Sequence, residues 1–269
     1  MKINFYYMDG LGNKFNIFDL RNNHFLDIDD ICEISDKFNI SKDFDQLILI
    51  YNSQKNDAFI KIYNNDLSEA MACGNATRCV AKILCDESNK DNVVIETSNR
   101  ELFIERINNL YKVNMGVPLT NWQDIPLSHE IAEINLLNKE IFGKAYPVNI
   151  GNPHLVYILD DIDRIDLKND VSFIEKDPLF PEGVNINLVQ ILGNDRIKIR
   201  TWERGAGITL ACGSGACASF YISFINGYIG DKATIELPGG NLEVSISKEG
   251  EIYMLGDANL NLLNNIENY

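Results

Sequence analysis

Short runs in which apolar residues alternate with polar ones dominate this chain, and a period of two marks half-buried β-strands. Runs rich in β-branched and aromatic residues predict strands at Ile3–Tyr7, Phe15–Asp19, Leu47–Tyr51, Ala58–Tyr63, Val93–Thr97, Leu102–Ile107 and Tyr111–Met115. A second set follows at Tyr146–Ile150, Leu155–Leu159, Asn187–Leu192, Ile197–Trp202, Ala233–Leu237, Leu242–Ile246 and Ile252–Leu255. Two stretches break the alternation. Asn75 to about Cys85 and Ser214 to about Asn226 are helical, and the second stops at Gly227, a residue type suited to a helix C-terminus. Asp29–Phe38 predicts a shorter surface helix. Thr120–Lys139 is too weakly periodic to assign, and the polar tail Asn264–Tyr269 is expected to fray.

The same order of elements occurs twice at one offset. The chain reads GLGNKFNIFDL around Gly12-Asn13 and NIGNPHLVYILDD around Gly151-Asn152, each a Gly-Asn pair followed by an apolar strand ending in Asp. The shift from Asn13 to Asn152 also carries Ala72-Cys73-Gly74 onto Ala211-Cys212-Gly213. It carries Phe59–Tyr63 onto Lys198–Trp202, Gln46 onto Asn185 and Asn64 onto Glu203. Several matches at a single offset indicate a duplication. The expected fold class is α/β (α+β), with two homologous, strand-rich domains that each hold one main helix. The expected division is 1–115 and 116–256, with a final strand, 257–269, returning to the first half.

Composition narrows the functions available. The 269 residues are 45% hydrophobic and 23% charged, the balance of an ordinary globular protein. The formal net charge is −15 with no basic cluster, which disfavours a nucleic-acid partner. No apolar run approaches the ~18 residues of a membrane helix. The first residues are too short and polar a stretch for a signal peptide, so a cytoplasmic protein is expected. The six cysteines (Cys32, Cys73, Cys79, Cys85, Cys212, Cys217) are then expected as thiols. None forms a CxxC pair and there are only three histidines, so no metal site is expected.

Cys73 and Cys212 each lie in Ala-Cys-Gly followed by Asn75 or Ser214, both good N-cap types, directly before a helical segment. A helix start offers unpaired N–H groups and a partial positive charge, which can hold a carboxylate and depress a thiol's pKa. Proton exchange at a carbon next to a carboxylate needs both properties. Inversion requires a base on one face of Cα and an acid on the other, and a duplicated thiol supplies the two. The helix amides would stabilise charge that develops on the carboxylate as the proton leaves. Cys32 and Cys85 fit buried apolar roles better than chemical ones, as do Cys79 and Cys217. A structural role for His154 is at least as well supported as a catalytic one.

At these residues the chain resembles the diaminopimelate epimerase family over almost its whole length. The matching stretches are GLGNKF (10–15), ACGNATRCVA (72–81), GNPHLV (151–156), VNINLVQ (184–190) and WERGAGITLACGSGACA (202–218). The resemblance implies conversion of LL-2,6-diaminopimelate to the meso form, in lysine and peptidoglycan precursor biosynthesis, with no cofactor or metal. It implies two domains related by pseudo-two-fold symmetry, each a curled β-sheet around a central α-helix, with the site between them. It also implies that Cys73 and Cys212 transfer the proton, and that Gly74-Asn75 and Gly213-Ser214 hold the reacting carboxylate. Asn13, Gln46, Asn64, Asn152, Asn185, Glu203 and Arg204 would line the substrate. Glu203 and Arg204 offer one complementary charge each to the far ammonium and carboxylate. The expected partner is a small molecule, with no nucleic acid or membrane; a homodimer is compatible with the family.

Four positions depart from the family pattern. Lys14 and Ile208 stand where acids are usual, Asp9 replaces a His or Asn, and Ala76 replaces a Gly. Other functions remain open. An epimerase of another amino acid would keep the cysteines and change the distal contacts. A phenazine-biosynthesis type isomerase would share the fold without two cysteines. A redox thiol protein or an amino-acid binding protein would not exchange a Cα proton.

Overall fold

The computed structural model describes every residue except Met1, His24, Met71, Ala72, Asn268 and Tyr269, and of Lys139 the backbone alone. Contacts divide the chain into two compact units, Met1–Val113 with Gly256–Tyr269, and Asn114–Leu255.

In the first unit, β1 (Lys2–Gly10) and β2 (Asn13–Asp19) form a hairpin, and α1 (Ile28–Lys37) crosses over to β3 (Gln46–Tyr51), parallel to β2. β4 (Ala58–Asn64) returns antiparallel, followed by the short β5 (Glu69–Ala70). Next comes α2 (Gly74–Ser88), which leads to β6 (Asn92–Glu96), parallel to β4. β7 (Glu101–Ile107) and β8 (Leu110–Gly116) complete the ladder. α2 packs against β1 and β2 near one end of this ladder and against β6 and β7 near the other, so the sheet curls around it. Its first two turns, Gly74–Ala81, are wholly buried, as a helix enclosed on all sides must be.

The second unit repeats the plan. After the short α3 (Lys139–Phe142), β9 (Ala145–Asn149) and β10 (Pro153–Ile158) pair antiparallel. β11 (Asn185–Gly193) runs parallel to β10, and β12 (Arg196–Glu203) turns back with the short β13 (Gly207–Ile208). α4 (Gly213–Ile225) leads to β14 (Lys232–Leu237), parallel to β12, then to β15 (Gly240–Ile246) and β16 (Ile252–Gly256). α4 touches β9, β10, β11, β12, β14 and β15. Register confirms the duplication: Phe15 pairs with Gln46 in the first unit and His154 with Asn185 in the second, the same positions at the repeat offset.

Two expectations are corrected. The tail does not fray up to Glu267: β17 (Asn259–Glu267) pairs antiparallel with β1 from Asn259 opposite Asp9 to Glu267 opposite Lys2. Its polar side chains are exposed while its backbone completes the ladder, which composition does not reveal; Asn268 and Tyr269 lie outside the described residues. The first main helix continues past Cys85 to Ser88, because Asn89 adopts the left-handed conformation that ends it. Residues 120–138 form neither helix nor strand, yet Ile125, Leu127 and Ile134 are buried in the core with Leu155, Tyr157 and Leu188. The crossover matching α1 is irregular, a single π turn (Leu167–Val171) followed by a 3-10 turn (Ser172–Lys176).

Candidate active site

Each main helix opens on its cysteine. Cys73 and Cys212 are in extended conformation, with φ of −146° and −121°, and are themselves the N-caps. Cys73 Sγ accepts from the Ala76 N–H at 3.5 Å, and Cys212 Sγ accepts from the Gly215 N–H at 3.3 Å. This corrects the expectation that Asn75 and Ser214 cap the helices. They occupy the second helical position instead, so sulfur takes the third amide and the amides of Gly74-Asn75 and Gly213-Ser214 are the first two of each helix, which have no partner within it. Ala72 lies outside the described residues.

In the first unit the β1–β2 turn is packed onto the start of α2. A Cβ on Gly10 would meet Arg78 Nη2 at 3.4 Å and the Asn75 carbonyl at 3.5 Å. This close approach brings Gly10, the cross-strand partner of Asn13, against Asn75. Arg78, completely buried, donates from Nε to the carbonyl of Asp257 at 2.8 Å and so ties α2 to the segment leading into β17. Gln46 and Asn64 are cross-strand partners, and Gln46 Nε2 donates to Asn64 Oδ1 at 3.1 Å. Lys14, one of the departures from the family pattern, pairs with exposed Asp43 at 2.5 Å.

In the second unit, Asn152, Asn185, Glu203, Arg204 and Cys212 lie among hydrogen-bonded neighbours, of which the sequence singles out His154 but not Asn187 or Thr201. His154 is fully buried between Asn152 Oδ1, 2.9 Å from Nε2, and Asn187 Nδ2, 2.9 Å from Nδ1. Thr201 donates to Asn187 Oδ1 at 3.0 Å. Burial first, and the Arg204 charge second, drive the His154 pKa down to about 3, so the imidazole is neutral. Asn187 follows Asn185 by two on β11, a spacing that puts both side chains on one face and could have flagged it. Asn185 donates to the Pro153 carbonyl at 2.8 Å and accepts from the Arg204 N–H at 3.0 Å.

Glu203 accepts from the Thr209 hydroxyl and stands close enough to Cys212 to act on its titration. Burial, followed by the Glu203 carboxylate, pushes the Cys212 thiol well above its usual range, and the Ser214 hydroxyl and Gly215 amide offset this only in part. The expected lowering by the helix start is therefore overturned at Cys212: desolvation and a nearby negative charge outweigh two hydrogen bonds. Arg204 donates from Nη1 to the Glu182 carbonyl at 2.5 Å. Ile208, another departure from the family pattern, is 57% exposed and pairs with Trp202 across the short β12–β13 ribbon.

Among the described residues, no group of three or more His, Cys, Asp or Glu side chains is placed to hold a metal ion. No helix among them is long and apolar enough to cross a membrane.

A family model described as diaminopimelate epimerase matches residues 5–120 and 146–261. The diaminopimelate epimerase of Pelagibacter ubique is 41% identical over 95% of this chain and 96% of its own length. That of Zymomonas mobilis is 39% identical over 96% and 95%. Among solved structures, a predicted epimerase from Pseudomonas aeruginosa superposes with a TM-score of 0.72 at 14% identity, covering 99% of this chain and 100% of that one. A probable proline racemase from Agrobacterium radiobacter gives 0.64 at 15% identity, over 97% and 92%. The structural likenesses, at such low identity, establish a shared fold; the matched family model and the full-length relatives go further, and the chain belongs to the diaminopimelate epimerase family.

Proposed function

We propose that this protein interconverts LL- and meso-2,6-diaminopimelate by two-base proton transfer at Cα, with Cys73 and Cys212 as the acid–base pair. The observation that carries the proposal is the equivalence of the two helix starts, where each cysteine caps its helix and receives the third amide on sulfur. The amides of Gly74-Asn75 and Gly213-Ser214 then bind the reacting carboxylate and take up charge as the proton leaves.

The environment of Cys212 divides the roles at rest. Its burial and the Glu203 carboxylate favour the protonated thiol. Cys212 therefore delivers a proton when Cys73 removes one, and the roles exchange in the reverse direction. Asn13, Gln46, Asn64, Asn152 and Asn185 supply polar contacts, Glu203 an acceptor for an ammonium, and Arg204 a fork for a carboxylate. The cytoplasmic location and the homodimer rest on family resemblance.

The direct test is incubation of the purified protein with LL-diaminopimelate, followed by separation of the stereoisomers. The same mixture of LL and meso forms should be reached from either side. Inversion of a monocarboxylic amino acid with no action on diaminopimelate would replace this substrate with another.

A further inference from the structure

One carboxylate holds both flanks of the Glu203-Arg204 pair. Glu175 Oε2 accepts from the Trp202 indole N–H at 2.7 Å, and Oε1 accepts from the Gly205 backbone N–H at 3.0 Å. We infer that Glu175 is a positioning residue that fixes the turn carrying Glu203 and Arg204, and through it the substrate contacts those two residues make. This rests on the functional proposal for Glu203 and Arg204.

The turn needs an external hold. β12 and β13 pair only at Trp202–Ile208 and Glu203–Gly207, and a ribbon that short has little stability of its own. Gly205 and Gly207 both have a φ of +78°, so the backbone between them leaves the strand conformation. Alternation along β12 sends neighbouring side chains to opposite sides. Trp202 packs against the core that contains Ile174, while Glu203 on the other side meets Thr209 and Cys212. A grip on the Trp202 indole and the Gly205 amide therefore restrains the intervening residues without touching their side chains.

Glu175 is well placed to be that grip. It follows Ile174, which is fully buried, in the 3-10 turn Ser172–Lys176. The chain beyond it passes under Arg204. A Cβ on Gly183 would come within 2.8 Å of Arg204 Cδ, and Glu182 offers its carbonyl to Arg204 Nη1. Glu175, Phe180, Glu182, Gly183 and Arg204 help line a hollow of about 410 Å³. One irregular segment thus sets both the turn and the course of the Arg204 side chain.

The test is Glu175→Gln, which keeps the size but presents an NH2 to one of the two donors and so loses one charge-assisted bond. The chain has two tryptophans, Trp122 and Trp202, so two indole N–H signals can be followed by NMR. The Trp202 signal should shift in the variant. The KM for diaminopimelate should rise about tenfold with a smaller change in kcat, the scale of one lost hydrogen bond to a charged group. Trp202→Phe removes the same bond from the other side, and adding Glu175→Gln to it should then have a reduced effect. An unmoved Trp202 indole signal overturns the inference. So does a folded Glu175→Gln enzyme with unchanged KM and only a lower Tm, which would make Glu175 a structural tie. If the unaltered protein does not act on diaminopimelate, the functional proposal fails, and the indole signal alone decides whether Glu175 holds the turn.

Discussion

Asn187 Nδ2 lies 2.9 Å from Nδ1 of His154, and this contact fixes the proton on the other ring nitrogen. Thr201 donates to Asn187 Oδ1, so the amide NH2 is turned to the imidazole and Nδ1 must accept. Nε2 then carries the hydrogen and donates to Asn152 Oδ1. A histidine held this way orients Asn152 and is unsuited to act as a base.

The first prediction follows from that neutral state. The folded pKa of His154 is depressed to about 3 from 6.5, so below about pH 6.5 the unfolded chain binds a proton that the folded chain does not. Stability should fall as pH falls through this window, with a contribution of about 1.4 kcal/mol per pH unit at its steepest. Urea titrations between about pH 5 and pH 6.5, above most carboxylate pKa values, should show this slope in the unaltered protein and lack it in His154→Gln. Equal slopes in the two would mean that His154 ionises normally in the folded state.

Gly215 provides a test in which helix propensity and packing disagree. Replacing a helical glycine with alanine is ordinarily stabilising by about 1 kcal/mol. Here the new Cβ would stand 2.5 Å from Asn187 Oδ1 and 3.2 Å from Cys212 Sγ. Gly215→Ala should therefore destabilise by about 1–3 kcal/mol and reduce activity, because the shift falls on the amide that binds Cys212. A raised Tm with unchanged turnover would show that the first turn of α4 is loosely packed.

Much of this was legible in the residues. Apolar alternation located the strands, and the single offset relating Asn13 to Asn152 and Cys73 to Cys212 located both helix starts. The strand-by-strand register of β17 on β1 and the grip of Glu175 were not legible, because each depends on pairing between distant segments: Asn259 lies opposite Asp9, and Glu175 reaches a turn about thirty residues further on. The upward shift of the Cys212 thiol was not legible, because the helix start is local, whereas the burial and the Glu203 charge that outweigh it come from tertiary packing.

Cys212 should consequently resist alkylation near neutral pH, where its raised pKa leaves almost no thiolate. Glu203→Gln removes one of the two main upward influences, so the alkylation rate at a given pH should increase. Peptide mapping after iodoacetamide treatment across a pH series reads this directly. A Cys212 that reacts as fast as an ordinary thiol in the unaltered protein contradicts the assignment of Cys212 as the resting acid.

Arg204→Ala should lose most activity toward diaminopimelate. Removing one member of a charge-assisted pair in a water-poor site costs several kcal/mol, on the order of 2–5. Steady-state kinetics should show a fall in kcat/KM of at least about a hundredfold. Equal turnover of diaminopimelate by Arg204→Ala and the unaltered enzyme would remove Arg204 from the substrate site.

The two-cysteine mechanism is tested most directly by NMR of LL-diaminopimelate incubated in D2O with the unaltered protein and with Cys73→Ala and Cys212→Ala. The unaltered enzyme should place deuterium at the reacting Cα as the meso form accumulates. Either alanine variant, folded as judged by circular dichroism, should form no meso product, because one face of Cα then lacks its acid or base. Full epimerisation by either variant would contradict the account.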